Sequence, residues 1–333
     1  MILGTAQLGQ EYGIHNSTGK PSQETAYQIL DYAWNHGIHI LDTAGAYGDA
    51  EDLIGKYQEV TGHVFHICTK LSADAAAGLY GGGTGHENNG TSACIVGEPY
   101  GIEADERMDA DAASTAEKME QELEKSLHRL KCSQIWLYYL HRFEACKDAD
   151  VLRKMSQWKA KGKIQHIGIS IYEPGELDYI IENLAGITDV VQIPFHLLDN
   201  ARWTEAGLLQ NAAEKGIRIF ARSVFLQGLF FQEPGSETAR ALAAQGALEE
   251  LRQLADECSI SIQQLAVSFV AGHPYITDFL LGCETAEQLT QNIILEEAAA
   301  SRKLPEMAWK RIKNISENVH GITIDPRKWG RDR

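Results

Sequence analysis

The chain alternates short apolar segments of strand length with longer segments of helical periodicity, and it does so eight times. Repeated strand and helix units of this kind form a parallel sheet, because each helix returns the chain to the start of the next strand. Eight units in 333 residues fit a closed (β/α)8 TIM barrel better than an open doubly wound sheet. We therefore predict one α/β domain over residues 1–333, without a linker that divides it.

The predicted strands are apolar segments that end at polar residues or turn signals. They are Met1–Thr5, Ile38–Asp42, Val64–Lys70, Ile135–His141, Ile164–Ser170, Val190–Pro194, Ile217–Arg222 and Phe279–Gly282. The predicted helices are Gln23–His36, Ala50–Tyr57, Ala116–Leu130, Ala149–Lys161, Pro174–Asn183, Thr204–Lys215 and Ala286–Glu297. Ser22 is a predicted N-cap, and Gly37, Gly162 and Gly216 are predicted to end three of these helices.

Two insertions interrupt this alternation. Residues 73–114 follow the third strand with glycine-rich and acidic, alanine-rich sequence, and they lack apolar periodicity. Because βα loops build the active-site end of such barrels, we interpret this loop as a substrate lid or specificity loop, with a mobile surface excursion as the alternative. Residues 227–245 follow the seventh strand and could fold over a cofactor. From about residue 300 we predict a C-terminal extension, with a helix around Glu306–Ser316.

Composition excludes several classes of partner. The net charge of −16, without a stripe of lysine and arginine, argues against nucleic acid and anionic membranes as partners. No stretch of about 18 apolar residues and no secretory leader is evident, so we expect a cytoplasmic protein. The six cysteines show no metal-ligand spacing, which predicts reduced thiols and no metal site. The sequence gives no indication of the oligomeric state.

Four polar residues carry the strongest chemical signal. Asp42, Lys70 and His141 end three successive predicted strands, and Tyr47 follows Asp42 closely. The carboxyl ends of parallel strands meet at one end of a barrel, so these side chains are predicted to converge. A lysine next to a tyrosine stabilises the phenolate and should lower its pKa, while a carboxylate holds the ammonium. An imidazole can orient a carbonyl oxygen, so the set suits proton transfer during hydride transfer.

Seven segments, in order along nearly the whole chain, resemble signatures of the aldo/keto reductase family. They are DTAGAYG at 42–48, TK at 69–70, LHR at 140–142, GIS at 168–170, VVQIPF at 190–195, ARSVFLQGLF at 221–230 and LLGCETAEQLTQN at 280–292. The resemblance implies a (β/α)8 barrel that binds NADPH, or less often NADH, in extended form without a Rossmann motif. It also implies reduction of an aldehyde or ketone, possibly a sugar, or the reverse oxidation.

The resemblance also assigns roles to individual residues. Tyr47 resembles the general acid, Lys70 and Asp42 the pair that tunes it, and His141 the group that orients the carbonyl. Ser170 and Gln192 would hold the nicotinamide carboxamide, and Arg222 stands where many members have a tyrosine stacked on the nicotinamide ring. The other residues assigned to the cofactor are Thr5, Ser223, Leu226, Gln227, Gly228, Gly282, Glu284, Gln288 and Asn292.

Three departures from the family pattern stand out. Ile171 replaces an asparagine that many members use for the carboxamide, and the chain lacks the N-terminal hairpin that commonly covers the barrel bottom. Gly282 and Gln288 occupy the places of the lysine and arginine that bind the 2′-phosphate in strict NADPH users. NADPH is still favoured over NADH by the resemblance alone. Gln288 has a second interpretation, because Thr285 to Gln288 reads equally well as a helix capping box.

Two other functions fit the same residues. One is a sensor or partner-binding protein that keeps the barrel and the nicotinamide site without significant turnover. The other is a lyase or isomerase that uses the same acid and base without a cofactor. Retention of all four polar residues favours the reductase over the sensor.

Overall fold

A closed barrel of eight parallel strands forms the centre of the molecule, as the sequence predicts. The computed structural model describes residues 1–16, 19–72 and 115–329. Each strand pairs with the next, and β1 pairs with β8 to close the barrel. The strands are β1 Ile2–Gly4, β2 Ile40–Asp42, β3 His66–Leu71, β4 Ile135–Leu140, β5 Ile164–Ser170, β6 Val190–Pro194, β7 Arg218–Arg222 and β8 Asp278–Gly282.

Helices surround the barrel and bury their apolar faces against its outer surface. The α-helices are Ala6–Gly9, Gln23–Asn35, Ala50–Thr61, Thr115–Arg129, Ala149–Ala160, Pro174–Asn183, Ala201–Thr204, Leu208–Glu214, Glu237–Ala241, Gln245–Glu257, Ile262–Ala271, Ala286–Ser301 and Glu306–Glu317. Short 3-10 helices lie at Phe143–Lys147, Glu205–Gly207, Leu226–Phe231 and Pro326–Lys328.

The predicted helix Thr204–Lys215 is divided, because Gly207 has a φ of 69° and begins a separate helix there. Ser22 does cap its helix, accepting a hydrogen bond from the Thr25 backbone. Gly37, Gly162 and Gly216 all have positive φ beyond the helix ends, as predicted. None of the described helices is long and apolar enough to cross a membrane.

The interior of the barrel explains where the polar residues lie. Ile2, Cys68, Leu137, Tyr139, Val190 and Phe220 form a small apolar cluster that is separate from the outer core. Asp42, Lys70 and Gln192 each lie two residues beyond an inward-facing position, at residue 40, 68 or 190. Because side chains alternate along a strand, these polar groups also point inward, one layer closer to the carboxyl ends. The strand register therefore places Asp42, Lys70 and Gln192 in one polar layer, directly above the apolar layer inside the barrel.

Two sequence predictions concern residues outside this description. The proposed lid at residues 73–114 lies outside the described residues, as does the end of the chain from residue 330. The described part of the C-terminal extension contains the predicted helix and continues to Trp329.

Candidate active site

A cavity of about 670 Å³ opens at the carboxyl ends of the strands. A volume of this size is typical of sites for cofactors and small molecules. Its lining includes the four predicted catalytic residues and all but one of the residues assigned to the cofactor. Those lining residues are Thr5, Asp42, Tyr47, Lys70, His141, Ser170, Gln192, Arg222, Ser223, Gln227, Gly228, Gly282, Glu284, Gln288 and Asn292.

Asp42 and Lys70 form a buried ion pair at the base of the cavity. The Lys70 Nζ lies 2.7 Å from Asp42 Oδ1 and also donates to the Thr43 carbonyl oxygen at 2.8 Å. Gln192 Nε2 donates to the other carboxylate oxygen of Asp42 at 2.9 Å. Burial lowers the pKa of Lys70, but the charge and hydrogen bond of Asp42, together with Tyr47 and Cys68, raise it by more, so the amine stays charged.

Tyr47 is placed beside this pair by an unusually close approach of two backbones. A Cβ atom at Gly9 would lie 1.7 Å from the Tyr47 carbonyl oxygen, so the first βα loop packs against the loop that carries Tyr47 only because residue 9 is glycine. The Lys70 Nζ lies 5.0 Å from the centre of the Tyr47 ring. The phenol and the ammonium therefore face the same end of the cavity.

Lys70 does lower the pKa of Tyr47, as expected, but its charge is not the dominant influence. Burial raises the pKa of the phenol by more than the charge of Lys70 lowers it, and Asp42 raises it further. Tyr47 is therefore a protonated phenol at neutral pH. This state suits a group that donates a proton, and Lys70 stabilises the phenolate that remains after donation.

His141 lies in the cavity as a neutral imidazole. Burial lowers its pKa to about 3, and the charges of Lys70 and Arg222 act in the same direction. A neutral ring can donate one hydrogen bond to a carbonyl oxygen without competing with Tyr47 as a proton donor. The geometry thus agrees with the orienting role that the resemblance implies.

Ser170 and Gln192 lie side by side on paired strands and line the cavity. Among the residues that the structure describes, the Ser170 hydroxyl has no hydrogen-bond partner, although the residue is only 3% exposed. Gln192 donates one amide hydrogen to Asp42, and the Tyr139 phenol lies beside the same amide group, so the Gln192 oxygen is the atom that remains for a ligand. A carboxamide would match these groups, because it both donates and accepts hydrogen bonds.

The loop after β7 borders the middle of the cavity. Ser223, Gln227 and Gly228 line it, and all three have positive φ. This conformation is rare outside glycine and is often found at functional sites. The first βα loop covers it, since Ile14 donates its backbone N–H to the Gln227 carbonyl oxygen at 3.0 Å.

Leu226 is a correction to the predicted site. Its side chain is fully buried in the outer hydrophobic core and does not line the cavity. The apolar side chain turns toward the core, while its neighbour Gln227 faces the cavity.

Glu284, Gln288 and Asn292 line the far end of the cavity, where helix Ala286–Ser301 begins. Both interpretations of Gln288 have support. The Thr285 hydroxyl accepts a hydrogen bond from the Gln288 backbone, and the Gln288 Oε1 accepts one from the Glu284 backbone at 2.7 Å. Gln288 therefore caps the helix and also lines the cavity. Asn292 donates to the Gly282 carbonyl oxygen at 3.2 Å.

Two tyrosines of the cavity are absent from the sequence-based site. Tyr12 comes from the first βα loop, and burial raises the pKa of its phenol to about 12. Tyr172 follows β5 and stacks against Arg222, whose guanidinium carbon lies 4.1 Å from the ring centre. Their only sequence signal is a position just beyond a predicted strand, in the loops that form the active-site end.

The fold and the cavity define a (β/α)8 barrel with a polar site at the carboxyl ends of its strands, and the comparisons identify the family. The family model described as "Aldo/keto reductase family" matches residues 1–317, so the chain belongs to this family. It is an NAD(P)-dependent oxidoreductase.

The chain resembles known oxidoreductases only at low sequence identity. The chain is 25% identical over 328 residues to the uncharacterized oxidoreductase YqkF of Bacillus subtilis, covering 94% of both proteins. It is 23% identical to the pyridoxal 4-dehydrogenase of Microbacterium luteolum, covering 94% of this chain and 92% of that protein. The glycerol dehydrogenase of Gluconobacter oxydans is a structural neighbour with a TM-score of 0.64 and 20% identity, covering 95% of this chain and 91% of that one. At this identity the structural likeness supports the fold alone.

Proposed function

We propose that this protein interconverts an aldehyde or ketone, possibly a sugar, and the corresponding alcohol, with Tyr47 as the general acid and base. The observation that carries the proposal is the convergence of Asp42, Tyr47, Lys70 and His141 on one cavity. A dinucleotide bound there would supply the hydride. Tyr47 would protonate the carbonyl oxygen, because its phenol is protonated at neutral pH and faces the ammonium of Lys70.

The other residues prepare this proton transfer. Asp42 holds Lys70 in place, and Gln192 holds Asp42 from the opposite side, so the ammonium has a fixed position. A fixed positive charge stabilises the phenolate as it forms, with little reorganisation. Neutral His141 would donate a hydrogen bond to the same carbonyl oxygen and orient it.

The cavity also fits an extended nicotinamide dinucleotide. Ser170 and Gln192 offer polar groups near the tetrad. Ser223 and Gln227 line the middle of the cavity, and the helix Ala286–Ser301 lies at its far end. By this arrangement the nicotinamide would lie at the tetrad and the adenosine near Glu284. The assignment of these residues to the cofactor follows from the resemblance together with their shared cavity.

The far end of the cavity favours NADH, in contrast to the NADPH that the resemblance alone favours. Among the described residues that line this end, none is lysine or arginine, and Glu284 carries a carboxylate. A carboxylate accepts a hydrogen bond from a ribose 2′-hydroxyl but repels a 2′-phosphate. The comparisons do not decide between the two cofactors, so we propose NADH on the chemistry of this lining.

Binding measurements on charge variants test this preference. We expect the wild-type protein to bind NADH at least about ten-fold more tightly than NADPH, because of charge repulsion at Glu284. Glu284→Gln should reduce the ratio of NADH affinity to NADPH affinity, because it removes the repelling charge. Gln288→Arg should raise NADPH affinity, because its guanidinium can pair with the 2′-phosphate. Titration of tryptophan fluorescence with each cofactor provides the dissociation constants. Tighter binding of NADPH to the wild-type protein would contradict the proposal.

The reaction itself is tested by following the absorbance of the reduced nicotinamide over a panel of aldehydes, ketones and sugars. Turnover that requires both a cofactor and a carbonyl compound is the expected result. Binding of a cofactor without turnover over the whole panel would favour the sensor function. Failure to bind either dinucleotide would contradict the oxidoreductase mechanism and favour cofactor-independent chemistry.

A further inference from the structure

Tyr172 is enclosed by two arginines from distant parts of the chain. The guanidinium carbon of Arg222 lies 4.1 Å from the ring centre, and that of Arg327 lies 3.8 Å from it. Both guanidinium groups are therefore in stacking contact with the Tyr172 ring. Such contacts combine cation–π attraction with stacking of flat groups. The C-terminal extension thereby contacts a residue that lines the active-site cavity.

Arg327 is held in this position by several contacts. It forms two hydrogen bonds to Asp325, at 2.8 and 2.9 Å, and a longer one to Glu173 at 3.4 Å. Bidentate contacts of this kind fix the plane of a guanidinium group.

The surrounding C-terminal segment, residues 322–329, is anchored near its start and closed by a hydrogen bond between its two ends. The Thr323 hydroxyl donates to the Leu242 carbonyl oxygen at 2.7 Å, and the Trp329 indole donates to that of Ile322 at 2.7 Å. The segment therefore presents Arg327 from a fixed backbone.

Arg222, in contrast, has few contacts of its own. Among the described residues no carboxylate lies within ion-pair distance of it, and its hydrogen bond is to the Ile171 carbonyl oxygen at 3.2 Å. Its stacking partner Tyr172 therefore carries much of the restraint on its side chain. Arg222 nevertheless lines the same cavity as Tyr47 and His141.

We propose that the C-terminal segment positions Arg222 through Tyr172. In this arrangement Arg327, Tyr172 and Arg222 stack on one another in that order, and we call this stack the column; Arg222, at its end, lines the cavity. This proposal rests on the proposed function and deepens it. The Arg222 guanidinium lies against Tyr172 and lines the cavity, so its other face would stack on the nicotinamide ring of a bound cofactor. A long, flexible side chain would stack on that ring poorly unless it were held from behind, because its rotamer freedom would be lost on binding. Tyr172 and Arg327 are thus positioning residues for the nicotinamide subsite.

A double-mutant cycle on the full-length protein tests the column, with NADH affinity from tryptophan fluorescence as the readout. Arg327→Met should weaken NADH binding by about five-fold, the effect expected for loss of a partly exposed cation–π contact. Tyr172→Leu should weaken it at least as much, whereas Tyr172→Phe keeps an aromatic face and should bind NADH nearly as the wild type does. Arg327→Met added to Tyr172→Leu should have little further effect, because Tyr172 transmits the influence of Arg327.

Arg311→Met is the matched control. Arg311 lies in the C-terminal helix Glu306–Glu317 and pairs with Glu257 through two hydrogen bonds, away from the cavity. It should lower the melting temperature about as much as Arg327→Met and leave NADH affinity unchanged. Unchanged NADH affinity in Arg327→Met, or additive losses of NADH affinity in the double variant, would contradict the positioning role of the column without contradicting the proposed function. A wild-type protein that binds neither dinucleotide would instead contradict the proposed function.

Discussion

At the scale of single residues, burial controls the chemistry of the site more than neighbouring charge does. Tyr47 lies beside an ammonium, yet burial raises the pKa of its phenol, and His141 is held neutral mainly by burial. A donor phenol and a neutral imidazole are both required for the proposed proton transfer. Both states follow from enclosure in a barrel, which the residue types alone do not reveal.

The pH dependence of the reaction follows from these two groups. Burial lowers the pKa of His141 from 6.5 to about 3, so the imidazole is neutral from about pH 5 upward. We expect kcat/KM for carbonyl reduction, at saturating cofactor, to stay level from about pH 5 to pH 8, because neither His141 nor Tyr47 titrates there. A decline centred near 6.5 that disappears in His141→Asn would show that the imidazole titrates normally.

The tetrad itself could be predicted from the sequence because each member closes a strand or follows one closely. Tyr12 and Tyr172 could not, since a tyrosine in a loop has no period or motif that separates a lining residue from a packing one. Leu226 was misplaced for the same reason. Within an irregular loop, adjacent residues face different directions, and only the backbone conformation decides which one meets the cavity.

At the scale of elements, the position of Tyr47 depends on how two βα loops meet. Gly9→Ala would place a Cβ atom 1.7 Å from the Tyr47 carbonyl oxygen, so the loop that carries the phenol must shift. A displacement of about 1 Å can cost on the order of 100-fold in rate. We therefore expect kcat to fall by at least about ten-fold while NADH affinity changes little.

Gly246→Ala provides the control for this variant. Gly246 lies in the exposed first turn of helix Gln245–Glu257, and a Cβ atom there would meet nothing within 4 Å. Its kcat should equal that of the wild type. A Gly9→Ala protein that folds and keeps full kcat would disprove the link between this loop contact and catalysis.

Most strands and helices of the barrel unit could be read from apolar periodicity. Besides a few α-helices of four or five residues, the described α-helices that were not predicted are Gln245–Glu257 and Ile262–Ala271, which lie between β7 and β8. Their apolar residues do recur at helical spacing, for example at 248, 251 and 254, all of which are buried. The preceding loop with two short helical segments obscured where the last unit begins.

At the scale of the whole molecule, buried neutral histidines should make the fold sensitive to acid. His196 is fully buried, and burial lowers its pKa from 6.5 to about 3. Between these two values the unfolded chain binds a proton that the folded chain does not, so stability falls as pH decreases from about 6.5. The slope attributable to one such group is up to about 1.4 kcal/mol per pH unit.

Urea unfolding at a series of pH values measures that slope. In the wild type, His196 Nδ1 accepts a hydrogen bond from the Leu198 backbone N–H at 3.2 Å. His196→Asn removes the titrating ring and keeps a hydrogen-bond acceptor at this position. We expect a smaller loss of unfolding free energy between neutral pH and about pH 5 in this variant, whatever its stability at neutral pH. His320→Asn, at an exposed position, should keep the wild-type slope. Equal slopes in all three proteins would contradict the assignment to His196.

The most direct test of the central claim compares hydride transfer in Tyr47→Phe and Tyr12→Phe under single-turnover conditions. Both phenols line the cavity, but only that of Tyr47 has the Lys70 ammonium 5.0 Å from its ring centre. We predict that Tyr47→Phe lowers the rate by about 100-fold or more with NADH affinity retained, and that Tyr12→Phe lowers it by less than about ten-fold. A Tyr47→Phe protein that transfers hydride at the wild-type rate would contradict the mechanism.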